Sequence, residues 1–347
     1  MSKSAPICEN MVYTMIKHLD IYSHPHPDNF CGGAFQDWLE VNLLSKCNGK
    51  CSWCVERDGY HPDEVADWHT IADQALASGK TNIILLGGEP TLYPDLRHIV
   101  LYLHGHGRKV WVTTNGGILT PEFVREKLLG ITGINISIHD FDPIGAKRVM
   151  GFAVKNLKGV VRALHEIGAS VRFNCNCISG HIDDIEQVRK YVAFAHAMGA
   201  DKVRFAELKI DEENFVDLAK VFNYKLGLND DPFVHGCIRD VIIAGMPVNI
   251  RQMCGLQTSK RPKPINPKQH EKTVLYYDGK FYDGWQTKES GSKNMKNDKA
   301  LIRILNLVAT GELSSQRAKE LINDIDDDKK NESVPVVHVQ SGAGCAY

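Results

Sequence analysis

Six short apolar runs punctuate the middle of the chain, at 38–44, 81–86, 109–114, 133–138, 170–177 and 202–208, and stretches with helical apolar spacing separate them. Short apolar strands with intervening helices predict βαβ units and a parallel sheet. Six such units predict an α/β fold, a partial (βα)6 parallel barrel over 37–208. In parallel α/β architectures ligands collect beyond the carboxyl ends of the strands, so candidate chemistry is sought there.

The flanking segments read differently. Residues 1–36 are rich in His, Pro and Gly and are expected to form an N-terminal extension packed over the barrel; Pro25 between His24 and His26 disfavours a helical ligand pair. Residues 209–347 are expected to form a C-terminal α+β extension that closes the barrel. Its pattern predicts helices at 212–227 and 236–245, then a basic connector from Lys260 to Pro267. A hairpin follows, with Val274 to Tyr277 and Lys280 to Tyr282 joined by Asp278-Gly279. Helices at 297–310 and 314–325 lead to a charged link over 324–330. Lys260, Arg261 and Lys263 offer a phosphate contact or a solvated loop, and His235 and Arg251 are weaker substrate candidates.

Composition narrows the class. With 347 residues, 43% of them hydrophobic, the chain can bury a large core. A formal net charge of −1 argues against a broad nucleic-acid or membrane footprint, and no apolar run is long enough to span a bilayer. Ten cysteines at irregular spacing, with no recognisable signal peptide, fit a reducing compartment better than a disulfide scaffold. The expectation is a soluble, cytoplasmic protein without membrane or nucleic-acid partners.

Cys47, Cys51 and Cys54 form a C-x3-C-x2-C loop directly after the first strand-like run. Thiolates on one short loop can fill three corners of an iron–sulfur cluster and leave the fourth iron open to a ligand. A structural zinc site wants a fourth ligand, usually from a second cysteine pair downstream, and none is visible. The spacing alone does not separate a cluster from chance. A second motif does: the run at 81–86 ends in Gly87-Gly88-Glu89-Pro90, where two glycines allow close backbone approach to a ligand and Glu89 can accept hydrogen bonds from an ammonium group. A tight strand-to-helix turn is the plainer reading of that tetrapeptide taken by itself.

Cys47, Cys51, Trp53, Cys54 and Gly87 to Pro90 together resemble the radical S-adenosylmethionine (SAM) enzymes, whose cysteine loop has the same spacing, an aromatic residue before its last cysteine and a Gly-Gly-Glu-Pro strand end. The resemblance implies a [4Fe–4S] cluster on Cys47, Cys51 and Cys54 whose open iron chelates SAM. It also implies an external electron donor such as flavodoxin or ferredoxin, and a 5′-deoxyadenosyl radical that abstracts hydrogen from a small polar substrate: a nucleotide, a sugar or a natural-product intermediate.

Further likenesses point to the molybdenum-cofactor GTP cyclase branch and its relatives with auxiliary-cluster (SPASM or twitch) extensions. They are Thr113-Thr114-Asn115-Gly116, the stretch from Ile136 to Pro143, and Val203 to Leu208. By this resemblance Thr114, Asn115 and Ser137 contact SAM, Asn174 and Asn176 lie near its ribose or carboxylate, and Phe205 and Ala206 flank the adenine. The chain departs from that branch at His139, where Asp is usual, and at Lys209, where Met is usual. Where an auxiliary-cluster extension carries a ligand cysteine after its hairpin, this chain reads Tyr282-Asp283-Gly284-Trp285, and Cys237, Cys254 and Cys345 are scattered. The tail Ser341 to Tyr347 resembles one that reaches into the active site, which makes Cys345 a candidate hydrogen donor. Two other readings stay open: a peptide-modifying radical SAM enzyme, and a non-catalytic iron–sulfur or zinc protein.

Overall fold

The computed structural model describes residues 22–24, 37–57, 59, 61–208, 211–226, 238–251, 273–283, 285, 314 and 316–317. The chain divides into two compact units, 1–296 and 297–347, and nearly all described residues belong to the first. After a three-residue strand, β1 (Tyr22–His24), six parallel strands follow in sequence order. They are β2 (Trp38–Asn42), β3 (Asn82–Leu86), β4 (Lys109–Thr114), β5 (Gly133–Ser137), β6 (Ser170–Asn176) and β7 (Lys202–Ala206). Each connection carries a helix: α1 (Trp68–Ala77), α2 (Leu96–Gly105), α3 (Pro121–Lys127), α4 (Pro143–Met150) with α5 (Leu157–Glu166), and α6 (Ile185–Met198). α7 (Leu218–Leu226) follows β7. This is the expected α/β partial barrel, with every strand boundary within two residues of the apolar run that predicted it.

The two faces of the sheet differ in kind. Ile134, Ile136, Val171, Phe173, Val203, Phe205, Val248 and Ile250 are fully buried on the outer face. There Phe205 meets Tyr191 of α6 and Phe222 of α7, at ring-centroid separations of 5.3 and 6.0 Å. Each such fully buried apolar side chain contributes about 1.5–3 kcal/mol, so this layer fixes strand register as well as stability. The inner face, by period-two alternation, presents Asn135 and Ser137 of β5, Arg172, Asn174 and Asn176 of β6, and Arg204 and Ala206 of β7. Helix starts follow local chemistry: Asp67, Thr120, Asp142 and Asp184 cap α1, α3, α4 and α6 through their side-chain oxygens, and Pro121 and Pro143 occupy first-turn positions.

The segments outside 37–208 join the same sheet. The predicted helix at 236–245 is instead strand β8 (Ile238–Ile243), which turns at Ala244-Gly245 into β9 (Met246–Arg251). Both turn residues have positive φ, 51° and 77°, as a tight two-residue hairpin requires. β9 pairs parallel with β7, and β1 covers the outer edge of β8, so residues 22–24 serve as an edge strand. The predicted helix at 212–227 begins only at Leu218; before it, Phe215 bridges to Ile178. At the other edge the predicted hairpin is present as β10 (Thr273–Leu275) and β11 (Phe281–Asp283), with β10 parallel to β2. Trp285 donates from Nε1 to Glu40 Oε2 at 2.6 Å, tying the hairpin to an inner-face position of β2. The predicted helix at 297–310, nearly all of the one at 314–325, the connector at 260–267, the link at 324–330, His235, Lys209, Cys237, Cys254 and Cys345 with its tail lie outside the described residues.

Candidate active site

The cysteine loop is fastened to three strand ends. From β2 the chain continues the ladder with β3 past both strands: Leu43 N donates to Leu86 O (2.9 Å), Gly88 N to Leu44 O (2.7 Å) and Glu89 N to Lys46 O (2.9 Å). The two glycines make this possible. A Cβ on Gly88 would lie 2.4 Å from the carbonyl oxygens of Ser45 and Lys46, and one on Gly87, whose φ is 137°, would lie 2.5 Å from Leu44 O. The close approach expected toward a ligand is therefore an approach to the stem of the cysteine loop.

Glu89 is buried, and its carboxylate is largely committed to protein donors. Oε1 accepts from Thr91 N (3.0 Å), Thr91 Oγ1 (2.5 Å) and Thr114 Oγ1 (2.5 Å), and Oε2 accepts from Asn115 N (2.7 Å). Burial raises its pKa, opposed by these same hydrogen bonds. Glu89 thus couples the end of β3 to the end of β4 and caps the short helical turn Pro90–Leu92, in which Pro90 is buried. Thr114, also buried, additionally accepts from Gly116 N at 3.0 Å.

Asn115 reaches the loop itself. Its Nδ2 donates to Asn48 Oδ1 (2.7 Å) and, more weakly, to Cys47 Sγ (3.6 Å), while its Oδ1 accepts from Gly117 N (2.8 Å). The far side of the loop is held by Lys50 N donating to Met150 O (3.0 Å) at the end of α4. Trp53 packs with Val149, Met150, Ile178 and Leu208 and meets His139 edge-on at 5.5 Å. Its ring, only 8% exposed, anchors the loop to the ends of β5, β6 and β7. Asn42 Nδ2 donates to both oxygens of Glu56 (3.0 and 3.1 Å), which secures the chain leaving the loop; burial pushes the Glu56 carboxyl up to about 7.

The three thiols suit a cluster. Cys47 is exposed, Cys51 and Cys54 are half-buried, and Gly49 N–H donates to Cys47 Sγ at 3.2 Å. Burial, Glu89 and Cys54 raise the Cys47 thiol, and burial, Cys54 and Cys47 push Cys51 up to about 12. Thiols that discourage one another's ionisation need nearby positive charge before they can act together as thiolates, and an iron core supplies it. Among the described residues no three His, Cys, Asp or Glu side chains are gathered as a single-ion site.

The opposite wall of the barrel is open and polar. Ser137 is half-buried and makes no side-chain hydrogen bond among the described residues; Asn174 Oδ1 accepts from Arg172 Nε (3.1 Å), and Arg204 Nε donates to Asn249 Oδ1 (2.9 Å). Asn176 donates its backbone N–H to His139 Nδ1 at 3.0 Å. Ala206 lies level with Asn176 and with Arg251 on the inner face. Phe205 does not: alternation turns it outward into the helical layer, fully buried, so it cannot flank a ligand inside the barrel. His139, which replaces the usual Asp, is buried as a hydrogen-bond acceptor, and burial holds it down at about 4.

The sequence motifs do not single out Arg172, and Arg204 falls inside one only as part of the stretch Val203 to Leu208. Burial and Arg251 hold Arg172 down at about 10, and burial, Arg172 and Arg251 hold Arg204 well below its ordinary value; Asp240 works against both shifts and Glu40 against the second. Three guanidinium groups therefore crowd one wall, with two carboxylates near them. Polar residues recurring every second position in a strand expected to be buried were the available signal. Asp140 and His181, joined at 2.6 Å between the loops after β5 and β6, carried no such signal.

Residues 41–195 match the radical SAM superfamily. The chain is 30% identical over 204 residues to molybdenum cofactor biosynthesis protein 1 of Mus musculus, covering 56% of this chain and 31% of that protein. It is 28% identical over 178 residues to a probable GTP 3′,8-cyclase of Pyrobaculum aerophilum, covering 49% of this chain and 57% of that one. The chain thus spans from about a third to rather more than half of these relatives. Among solved structures it superposes on SuiB of Streptococcus suis bound to S-adenosylmethionine with a TM-score of 0.52 at 16% identity, over 79% of this chain and 63% of the other. Fold, cysteine loop and sequence match agree over residues 41–195, which carry a radical SAM domain, the domain of enzymes that bind a [4Fe–4S] cluster and S-adenosylmethionine.

Proposed function

We propose that this protein reductively cleaves SAM and uses the resulting 5′-deoxyadenosyl radical to abstract hydrogen from a small polar substrate that carries an anionic group. The observation that carries the reading is the pairing of a cysteine loop pinned to three strand ends with an open polar wall across the barrel mouth. Cys47, Cys51 and Cys54 would hold the cluster, which supplies one-electron reduction of SAM when bound. Asn115 and Gly49 direct N–H groups at the Cys47 sulfur and so favour its thiolate. Ser137, Asn174, Asn176 and Ala206 line the side on which SAM would lie, with Thr114 and Glu89 positioning the strand ends beneath it.

The anionic group follows from charge. Arg172 and Arg204 lie on the inner wall at neighbouring strand positions, with Arg251 and Asp240 close by, and planar guanidinium groups suit an anion such as a phosphate or carboxylate. A nucleotide or sugar phosphate has that chemistry, in keeping with the GTP cyclase named among the relatives. Anaerobic reconstitution with iron and sulfide, then dithionite and SAM, tests the reading: 5′-deoxyadenosine is the expected product, and its absence from fully reconstituted protein sinks the proposal. Arg204→Met should weaken binding of inorganic pyrophosphate about tenfold, the scale of one charge-assisted hydrogen bond. Unchanged binding would remove the anionic group from the substrate assignment.

A further inference from the structure

The connection between α4 and α5, residues 151–156, is laid over the cysteine loop. Its ends are two residues in the left-handed region, Gly151 with φ of 90° and Asn156 with φ of 46°, and Asn is one of the few residues besides Gly that visit it readily. Both ends are seated. Lys50 N donates to Met150 O at 3.0 Å, and the Lys50 stem lies 3.4 Å from the position a Cβ would take on Gly151. At the other end the Asn156 side chain fills the space over Gly159 in the first turn of α5, 2.5 Å from the position of a Cβ there.

Between these ends the connection places two apolar side chains differently. Val154 lies over Gly116 beside Ile136, at 3.0 and 3.1 Å from the position of a Gly116 Cβ. Phe152 lies over Gly117, where a Cβ would stand 2.8 Å from its ring and 2.8 Å from Asn48 Nδ2 of the cysteine loop. Phe152 and Cys51 both pack against the group formed by Trp53, Val149, Met150, Ile178 and Leu208. Those five are buried, none more than 8% exposed, whereas Phe152 is half-buried. Its ring is therefore the outermost apolar layer between that group and solvent. The hydrogen bonds that fasten the cysteine loop do not pass through Phe152, so anchoring does not account for it.

The two ends of the cysteine motif consequently sit in different media. Cys47 is exposed, and its sulfur accepts from Gly49 N and Asn115 Nδ2. Cys51 is half-buried against an indole, a thioether and branched aliphatic side chains. We propose that Phe152 sets the reduction potential of the cluster by keeping water from its Cys51 side. The inference rests on the radical SAM reading, because it takes the loop as the seat of a cluster. One-electron reduction adds negative charge to a core already held by three thiolates, and water stabilises that added charge better than hydrocarbon does. Solvent exposure is among the factors that set such potentials, and an apolar cover lowers them. A lower potential makes the reduced core a stronger donor to the sulfonium of SAM.

The test is an anaerobic redox titration of the reconstituted protein, followed by the EPR signal of the reduced cluster. Each cluster takes up one electron from the mediator and no bond forms or breaks, so the midpoint is read without turnover. In Phe152→Ala the ratio of reduced to oxidised cluster at a fixed solution potential should rise about tenfold, a positive shift of about 59 mV for one electron. Iron and sulfide per chain should match the parent protein. Phe152→Leu keeps an apolar cover and should raise the ratio only about threefold. Val154→Ala loosens the same connection over Gly116, away from Cys51, and should lower stability while leaving the midpoint unchanged. A Phe152→Ala protein with full iron and the parental midpoint overturns the proposal, as does a negative shift. An equal shift in Val154→Ala overturns it as well, since looser packing of the whole connection would then be the cause. If Phe152→Ala loses its iron, Phe152→Leu decides, and a parental midpoint there is the overturning result. A parent protein that takes up no [4Fe–4S] cluster refutes the radical SAM reading and this inference with it, whereas a bound cluster indifferent to Phe152 refutes the inference alone.

Discussion

The two sides of the barrel mouth are built on opposite plans. On the β2–β4 side Glu89, Thr114 and Asn115 direct their polar groups mainly at one another or at the cysteine loop, and the glycines exist to let backbones touch. On the β5–β7 side the Ser137 side chain has no protein partner among the described residues, Asn174 and Arg172 share one bond, and Arg172, Arg204 and Arg251 crowd one another. The first side is a clamp, complete in itself; the second is a surface prepared for something else to complete. Motif residues on the clamp side therefore need not touch a ligand to be indispensable, and the choice of substrate belongs to the other wall.

The sharpest way to break this contrast is Gly88→Ala. The new Cβ would meet two backbone carbonyls at 2.4 Å, and backbone cannot swing aside as a side chain can. The expected cost is about 3 kcal/mol of stability, the upper end of overpacking, with loss of most bound iron after reconstitution. Denaturant titration and iron analysis read both. A variant of parental stability and full iron content would show that the loop is not clamped through Gly88.

The clamp was only half legible in the sequence. The spacing of Cys47, Cys51 and Cys54 and the tetrapeptide at 87–90 mark the place, but beyond Thr91 the partners of Glu89 lie 25 and 26 residues away at Thr114 and Asn115, where only the fold can bring them. The barrel strands were legible because both of their neighbours bury them, which leaves continuous apolar runs. β8 was not: Ile238-Arg239-Asp240-Val241-Ile242-Ile243 satisfies a helical spacing as well as a strand, and its turn, Ala244-Gly245, lacks the Asn-Gly or Asp-Gly that announces a hairpin. The misplacement of Phe205 was avoidable. Strand alternation counted from Arg204 already turns the Phe205 side chain outward.

A pH experiment sharpens the boundary between the two sides at His139, which sits over β5 yet belongs to the clamp. Buried beside Trp53 and accepting from Asn176 N–H, it is held neutral with its pKa lowered from 6.5 to about 4. A histidine depressed in the fold adds stability above the unfolded value of 6.5 and loses it as pH falls toward 4. Between pH 8 and pH 5 the loss should be about 2 kcal/mol, from 1.36 kcal/mol per pKa unit. His139→Asn keeps an acceptor for Asn176 N–H but removes the titration. The gap in stability between parent and variant should therefore shrink by that amount on going from pH 8 to pH 5. A gap that does not change with pH would mean His139 protonates as freely in the folded protein as in the unfolded chain.

The smallest effect tests the open wall. Ser137 closes β5 half-buried, level with Asn174 of β6, and its hydroxyl bonds nothing among the described residues. A clamp residue with those coordinates would be anomalous, because a barrel-mouth hydroxyl that stabilised the fold would have found a protein partner. Ser137→Ala should consequently change stability by less than about 0.5 kcal/mol, the ordinary range for a side chain outside any packing or hydrogen-bond network. If the hydroxyl meets SAM, its loss removes one neutral hydrogen bond of about 0.5–1.5 kcal/mol, which reads as roughly a two- to tenfold rise in the Kd for SAM. Equilibrium binding of SAM to the reconstituted protein, set beside denaturant titration of the same variant, separates the two quantities. Lower stability with unchanged SAM affinity would move Ser137 to the clamp side and erase the contrast at the one residue where it is cleanest.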